Sequence, residues 1–199
     1  RIPFSFYTNQ PTIMSKVIAD ITMSLDGFIA GAEISSEHPL GKKGERLHEW
    51  LFNNKTAADT AILDELTANA GAVIVGNRTY TTAIDDAWEG VSPFNMPAFV
   101  VGNTIPEKTV AGFTFITNGT GTALDKAKAI AGDKNVWVMG GADMIQQYLK
   151  TGLADELHIH MVPVLFMQGT RLFDHLGTEQ IELKKLTVTD TPAATHFQF

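Results

Sequence analysis

The 199 residues are 44% hydrophobic and 19% charged, with a formal net charge of −7 at pH 7 and no cysteine. That length and balance fit one globular domain with a sizeable core. The acidity argues against a nucleic-acid-binding surface, and the missing thiols exclude disulfides, thiolate metal sites and cysteine nucleophiles.

No apolar run approaches the roughly 18 residues of a membrane span. Residues 1–12 are polar and aromatic with two prolines and have no signal-peptide core. Met14-Ser15-Lys16 reads as a natural start, so residues 1–15 are expected to be an N-terminal extension of a cytoplasmic protein, with the domain over 16–199.

Lys16 to Met23 predicts a strand with one acidic residue, Asp20, among apolar neighbours. Ser24-Leu25-Asp26-Gly27 predicts a turn in which Asp26 is a turn residue, and Phe28-Ile29-Ala30 resumes extended structure. Gly31 to Gly44 reads as loop. Helices are expected over Glu45–Phe52 and Asp59–Asn69, the second with Ala61, Ile62, Leu66 and Ala70 on its apolar face. Ala72–Val75 predicts a buried strand that passes through Gly76-Asn77 into a short helix near Arg78–Ile84. Strands are expected at Ala98–Val101 and Phe113–Ile116, then a helix over Thr122–Ala131. Val136–Met139 suits a strand covered on both faces and runs through Gly140-Gly141 into a helix carrying Ile145, Tyr148 and Leu149 at helical spacing. Glu156–Val162, Ile181–Asp190 and Ala194–Phe199 then read as strands without helices between them. Strand–helix alternation followed by an antiparallel meander predicts a single α/β domain with a mixed sheet.

Two glycines between a strand and a helix allow a ligand close to the backbone, where the first helical N–H groups are unpaired and carry the positive end of the dipole. Phosphate is the natural guest. Gly76-Asn77-Arg78-Thr79 repeats the design with a cation and a hydroxyl on the first turn, and Val101-Gly102-Asn103 closes a third strand similarly. If the three strands are parallel neighbours, these junctions lie along one carboxyl edge, where α/β sheets bind ligands. An elongated dinucleotide suits three junctions better than a mononucleotide. His158 and His160 share a strand face and read as a cross-strand or interface pair; without an H-E-x-x-H pattern, no metal site is expected. Trp50 reads as core or pocket wall, and Asp20 as either a substrate ligand or a strand-edge cap.

Val17–Gly31 with Met-Ser-Leu-Asp-Gly-Phe-Ile-Ala-Gly, Val73–Tyr80 with Val-Gly-Asn-Arg-Thr-Tyr, and Val136–Leu149 with Met-Gly-Gly-Ala together resemble the dihydrofolate reductase-like superfamily. Ser24–Gly27, Val162–Leu165 and Gly169–Phe173 are more similar to the C-terminal reductase domain of the bifunctional riboflavin-biosynthesis deaminase–reductase. The resemblance implies a three-layer fold with a mostly parallel central sheet. It also implies NADPH as cofactor, a pterin or ribosylated aminopyrimidine as acceptor, and a homodimer through the C-terminal strands. Gly140, Gly141 and Ala142, with Asp143 and Met144 following, match its pyrophosphate turn. Arg78 and Thr79 match the grip on the adenosine phosphate side, with Gly76 and Asn77 before them as further cofactor-binding candidates; Val101, Gly102 and Asn103 match the adenosine strip, and Ile29 and Ala30 the wall near the nicotinamide. Asp20, Thr22 and Trp50 would face the acceptor, with Asp20 and Thr22 as catalytic candidates.

Two positions depart from the pattern. Aligned on Trp50, the pterin-holding acid is replaced by Leu47, leaving Glu45 or Glu49 as substitutes. The turn between Leu165 and Gly169 carries Phe166-Met167-Gln168 where a glycine is expected. The sequence therefore leads to an NADPH-dependent reductase of a pterin-, pyrimidine- or carbonyl-type small molecule. A non-catalytic nucleotide-binding or sensing module, or a structural dimer with a vestigial cleft, is the alternative.

Overall fold

Hydrophobic alternation sets the layers. A computed structural model describes residues 15–199, so the expected extension over 1–15 lies, apart from Ser15, outside the described residues. In the strand β3 (Ala70–Gly76), Val73 and Val75 point to one face, and Ala72 and Ile74 to the other; all four are fully buried. The first pair packs with Tyr80, Ile84 and Val100, beside the half-buried Trp137 and Met139. The second pair packs with Val136, Val138, Leu124, Ile145 and Tyr148. The sheet is thus covered on both sides.

The other elements in chain order are β1 (Val17–Ser24), β2 (Phe28–Ala30), α1 (Glu49–Phe52), α2 (Ala57–Asn69), α3 (Asn77–Ala83), β4 (Ala98–Val101), β5 (Phe113–Ile116), α4 (Thr120–Ala131), β6 (Asn135–Gly140), α5 (Ala142–Lys150), β7 (Glu156–Val162), β8 (Thr170–Arg171), β9 (Thr187–Asp190) and β10 (Thr195–Gln198). Eight strands form one sheet in the order β5-β4-β3-β6-β1-β7-β10-β9, and β2 pairs with β8. From β5 to β7 every pairing is parallel, while β10 runs antiparallel to both β7 and β9. The antiparallel end forms as expected, with the last strand inserted between β7 and β9.

Three local expectations change. The helix expected over 45–52 is a 3-10 turn (Gly44–His48) continued by the single turn of α1. Of the apolar face expected on α2, Leu66 is buried and Ile62 half-buried, while Ala61 is exposed and Ala70 already belongs to β3. The strand expected from Ile181 begins at Thr187. The register pairs Thr187 with Gln198, so residues 181–185 lie past β10's last ladder pair.

Candidate functional site

Three parallel neighbours, β4, β3 and β6, end side by side at Val101, Gly76 and Gly140. The expected alignment of the three junctions is therefore present. Gly140 closes β6 at φ +116°, a conformation natural to glycine, and the Gly140–Gly141 peptide is cis. Gly141 has φ −82°, open to any residue, and is the N-cap of α5 with no side-chain cap on the helix. The first amides of α5 thus remain available to an anion. A Cβ at Gly102 would fall 2.5 Å from the Asn77 Cβ, so these two turns fit together only because residue 102 has no side chain. Asn77 Oδ1 and Trp137 Nε1 are buried without a partner among the described residues.

A cleft of about 1920 Å³ opens over this edge. Ligand pockets commonly measure about 300–1,000 Å³, so there is room for two ligands together. Gly76, Asn77, Arg78 and Thr79 line it, as do Val101, Gly102, Asn103, Gly141, Ala142, Asp143 and Met144. Ile29, Ala30, Asp20, Thr22 and Trp50 face the same cleft. Gly140 alone among the sequence candidates lies behind it, buried at the end of β6. Of the lining cations, Arg171 stacks 4.4 Å over the Phe28 ring and donates to the Asp26 carbonyl, and Lys134 donates to the Ala68 carbonyl. Arg78 is exposed and has no such partner among the described residues.

Asp26 does more than shape its turn. Its carboxylate accepts from the Ser24 hydroxyl at 2.6 Å, from the Phe166 amide at 3.0 Å and from the Met167 amide at 2.8 Å. Desolvation pushes its pKa up, but the Ser24 hydroxyl and the Met167 and Phe166 amides outweigh it and bring the carboxyl to about 2. Met167 stands at φ +64° in the turn where a glycine was expected. Gln146 on α5 donates to the Leu172 carbonyl at 2.8 Å, tying this loop to the helix that starts at the glycine pair.

Elsewhere in the cleft, Trp50 is buried and its indole N–H donates to the Thr22 hydroxyl at 3.2 Å. Leu47 is fully buried, and Glu49 is ion-paired with Arg46, so of the three positions weighed for a pterin-holding acid only Glu45 lines the cleft. Asp20 is 8% exposed and lies 2.9 Å from His160 Nε2. His160 in turn faces His196 across β7 and β10. Sequence reasoning did not connect His196, Asp59 or His48 to this site. His48 lines the cleft with an unpartnered Nδ1, and burial, then the neighbouring His160, lowers its pKa to about 4. Among the described residues no group of three or more His, Cys, Asp or Glu is arranged to hold a metal ion.

A mostly parallel sheet covered on both faces, with glycine junctions along its carboxyl edge and a cleft above them, defines an α/β protein of the dihydrofolate reductase-like fold. More particularly, the chain belongs to the RibD C-terminal domain family, whose model matches residues 15–197. It is 27% identical over 165 residues to the uncharacterized protein YwjB of Bacillus subtilis, covering 82% of this chain and 86% of that one. A putative riboflavin biosynthesis protein from Shewanella sp. PV-4 has a similar structure, with TM-score 0.69 and 23% identity over 92% of this chain and 97% of that one. The Enterococcus faecalis dihydrofolate reductase, solved with NADP(H) and RAB-propyl, shares the fold at TM-score 0.57 and 15% identity, covering 94% and 95% of the two chains. Family and fold together support a reductase-type function.

Proposed function

We propose that the protein is an NADPH-dependent reductase that transfers hydride to a pterin-, pyrimidine- or carbonyl-type small molecule. The observation that carries this reading is the convergence of three glycine-bearing junctions and one buried carboxylate on a single cleft. The uncapped start of α5, the unpartnered Asn77 Oδ1 and the side-chain-free backbone at Gly141 fit an anionic, extended cofactor. The amides after Gly141 would hold its pyrophosphate, Arg78 and Thr79 its adenosine phosphate, and Val101–Asn103 its adenosine. Ile29 and Ala30 would wall the nicotinamide.

The cofactor would supply hydride, and the chain's task is to position a planar acceptor, keep water away and manage one proton. Trp50 and Thr22 shape the acceptor side, and Asp20 is the carboxyl within reach of it. Absorbance-monitored oxidation of NADPH with a panel of pterin, aminopyrimidine and carbonyl acceptors tests the reading. Binding of NADPH without turnover of any acceptor would favour the sensing module. Consistent with that alternative, Glu49 is occupied by Arg46 and Leu47 is buried, so two of the three sites for a pterin-holding acid are closed.

The expected homodimer belongs to the same proposal. Leu186 and Val188, on and beside the edge strand β9, are each 47% exposed, and Phe197 and Phe199 stack 5.9 Å apart, half-buried. An edge strand flanked by exposed apolar groups suits a second copy of the same surface.

A further inference from the structure

Four buried side chains form an unbroken line from the cleft into the protein. Asp20 Oδ2 lies 2.9 Å from His160 Nε2; His160 Nδ1 lies 2.7 Å from His196 Nδ1; His196 Nε2 lies 2.8 Å from Asp59 Oδ1. None is more than 8% exposed. Trp50 packs on both rings, at 4.6 Å and 4.9 Å between centroids. The direct ring-to-ring contact leaves no space for an ion between the two nitrogens.

Each of the three contacts requires one proton between its heavy atoms. Asp59 is a fixed carboxylate: its Oδ2 accepts from the Thr56 amide at 2.7 Å and hydroxyl at 2.6 Å, so its Oδ1 accepts from His196 Nε2. Two facing ring nitrogens at 2.7 Å cannot both be bare, nor both protonated. The Asp20–His160 contact likewise needs its own proton. Two neutral imidazoles bring two protons, and the line needs three.

We infer that the line Asp20–His160–His196–Asp59 stores one additional proton and delivers it through Asp20 to the heteroatom of the acceptor reduced in the cleft. This rests on the reductase reading. When the proton sits on Asp20, His160 Nδ1–H donates to His196 and His196 Nε2–H donates to Asp59. The O–H bond of Asp20 breaks as the acceptor's N–H or O–H bond forms, while the adjacent carbon takes the hydride supplied by NADPH. Asp20 is left a carboxylate and the line holds two protons; a proton taken up from bulk solvent, relayed by water entering the cleft, restores the third. Asp20 is then the catalytic residue, and His160, His196 and Asp59 are positioning residues that set its readiness to give the proton.

The surrounding charges agree with storage at the cleft end. Burial first, and the charge of His160 second, lower the pKa of His196, so a second proton on that ring is disfavoured. His158 Nδ1 stands 3.9 Å from Asp20, but its other nitrogen is held by Glu156 at 2.9 Å, and Glu156 pairs with Lys16 at 2.5 Å. His48, beside His160, stays neutral above about pH 4.

The test is nitrogen NMR of histidine-labelled, ligand-free protein between pH 5 and 9. His160 and His196 are expected to release one proton in a single shared step. Asp59→Asn removes the negative charge in direct contact with His196 and is expected to lower that step by about one to two pH units. The alkaline fall in kcat for NADPH oxidation should move by the same amount with KM unchanged. Because Asp59 also caps α2, His196→Gln serves as the second variant; it should convert the shared step into a simple His160 titration and displace the kcat profile with it. Two independent ring titrations, or two neutral rings throughout, would overturn the storage. A displaced ring titration with an unmoved kcat profile would overturn the delivery. The reductase reading fails separately if no acceptor draws hydride from NADPH, and the ligand-free titration still decides the stored proton.

Discussion

Arg78→Ala should separate the two nicotinamide cofactors. The side chain is exposed on the first turn of α3 and faces the cleft without an ion-pair partner among the described residues. Two unit charges about 4 Å apart attract by about 1 kcal/mol in water, and a phosphate monoester carries about 1.5 to 2 charges near neutral pH. A solvent-facing arginine therefore gains about 2 kcal/mol at low salt. A screening length of about 8 Å at physiological ionic strength reduces this to roughly 1 kcal/mol. The variant should bind NADPH about five- to tenfold more weakly at physiological salt and about thirtyfold more weakly at low salt. NADH, lacking the 2′-phosphate, should be nearly unaffected at either. Calorimetry with both cofactors at both salt concentrations measures all four numbers. Equal losses for the two cofactors would show that Arg78 supports the fold instead, and a salt-independent loss would remove the charge argument.

Gly141→Val should remove NADPH binding and leave a folded protein. The native φ of −82° accepts a side chain, and an added Cβ meets nothing nearer than Thr79 Oγ1 at 3.6 Å, so what it fills is cleft; retained affinity in calorimetry would take this turn out of the site. Asp26→Asn should lower the melting temperature at neutral pH and flatten its acid dependence. The carboxyl's pKa is depressed to about 2, so its contribution is present above the unfolded value near 4 and lost as pH falls through 2; identical melting curves from pH 2 to 6 for variant and native chain would refute this. Light scattering at micromolar concentration should report a dimer of this 21.6 kDa chain, dissociated by Val188→Asp, and a native monomer would defeat the proposed interface.

Much of the scaffold was legible because periodicity changes where the chain changes element. The β6–α5 junction shows this: strand residues Val136 and Val138, two glycines, then Ile145 and Tyr148 at helical spacing, all buried as that pattern requires. The limits had equally local causes. Residues 181–186 carry a strand-like composition, yet a strand exists only where a partner presents its backbone, and β10 offers Thr187–Asp190 that partner. The glycine pair read correctly as a turn, but which glycine needed its freedom did not show: Gly140 has the positive φ, and Gly141 the position on the cleft wall.

The line of four side chains was the least legible feature, and the reason is register. Asp59 sits three residues after Thr56 and completes a capping box, which accounts for it locally without reference to a histidine 137 positions away. His160 and His196 meet only because β10 inserts beside β7 with those two residues opposed, a pairing that a meander in chain order would not have made. A one-residue slip of β10 would turn His196 to the other face, leave His160 where β1 holds β7, and separate Asp20 from Asp59. The pairing of β10 with β7 therefore does more than close the sheet. It joins a carboxylate at the cleft to one fixed at a helix N-terminus, and by demanding three protons of two imidazoles it places an acid where a reductase would need one.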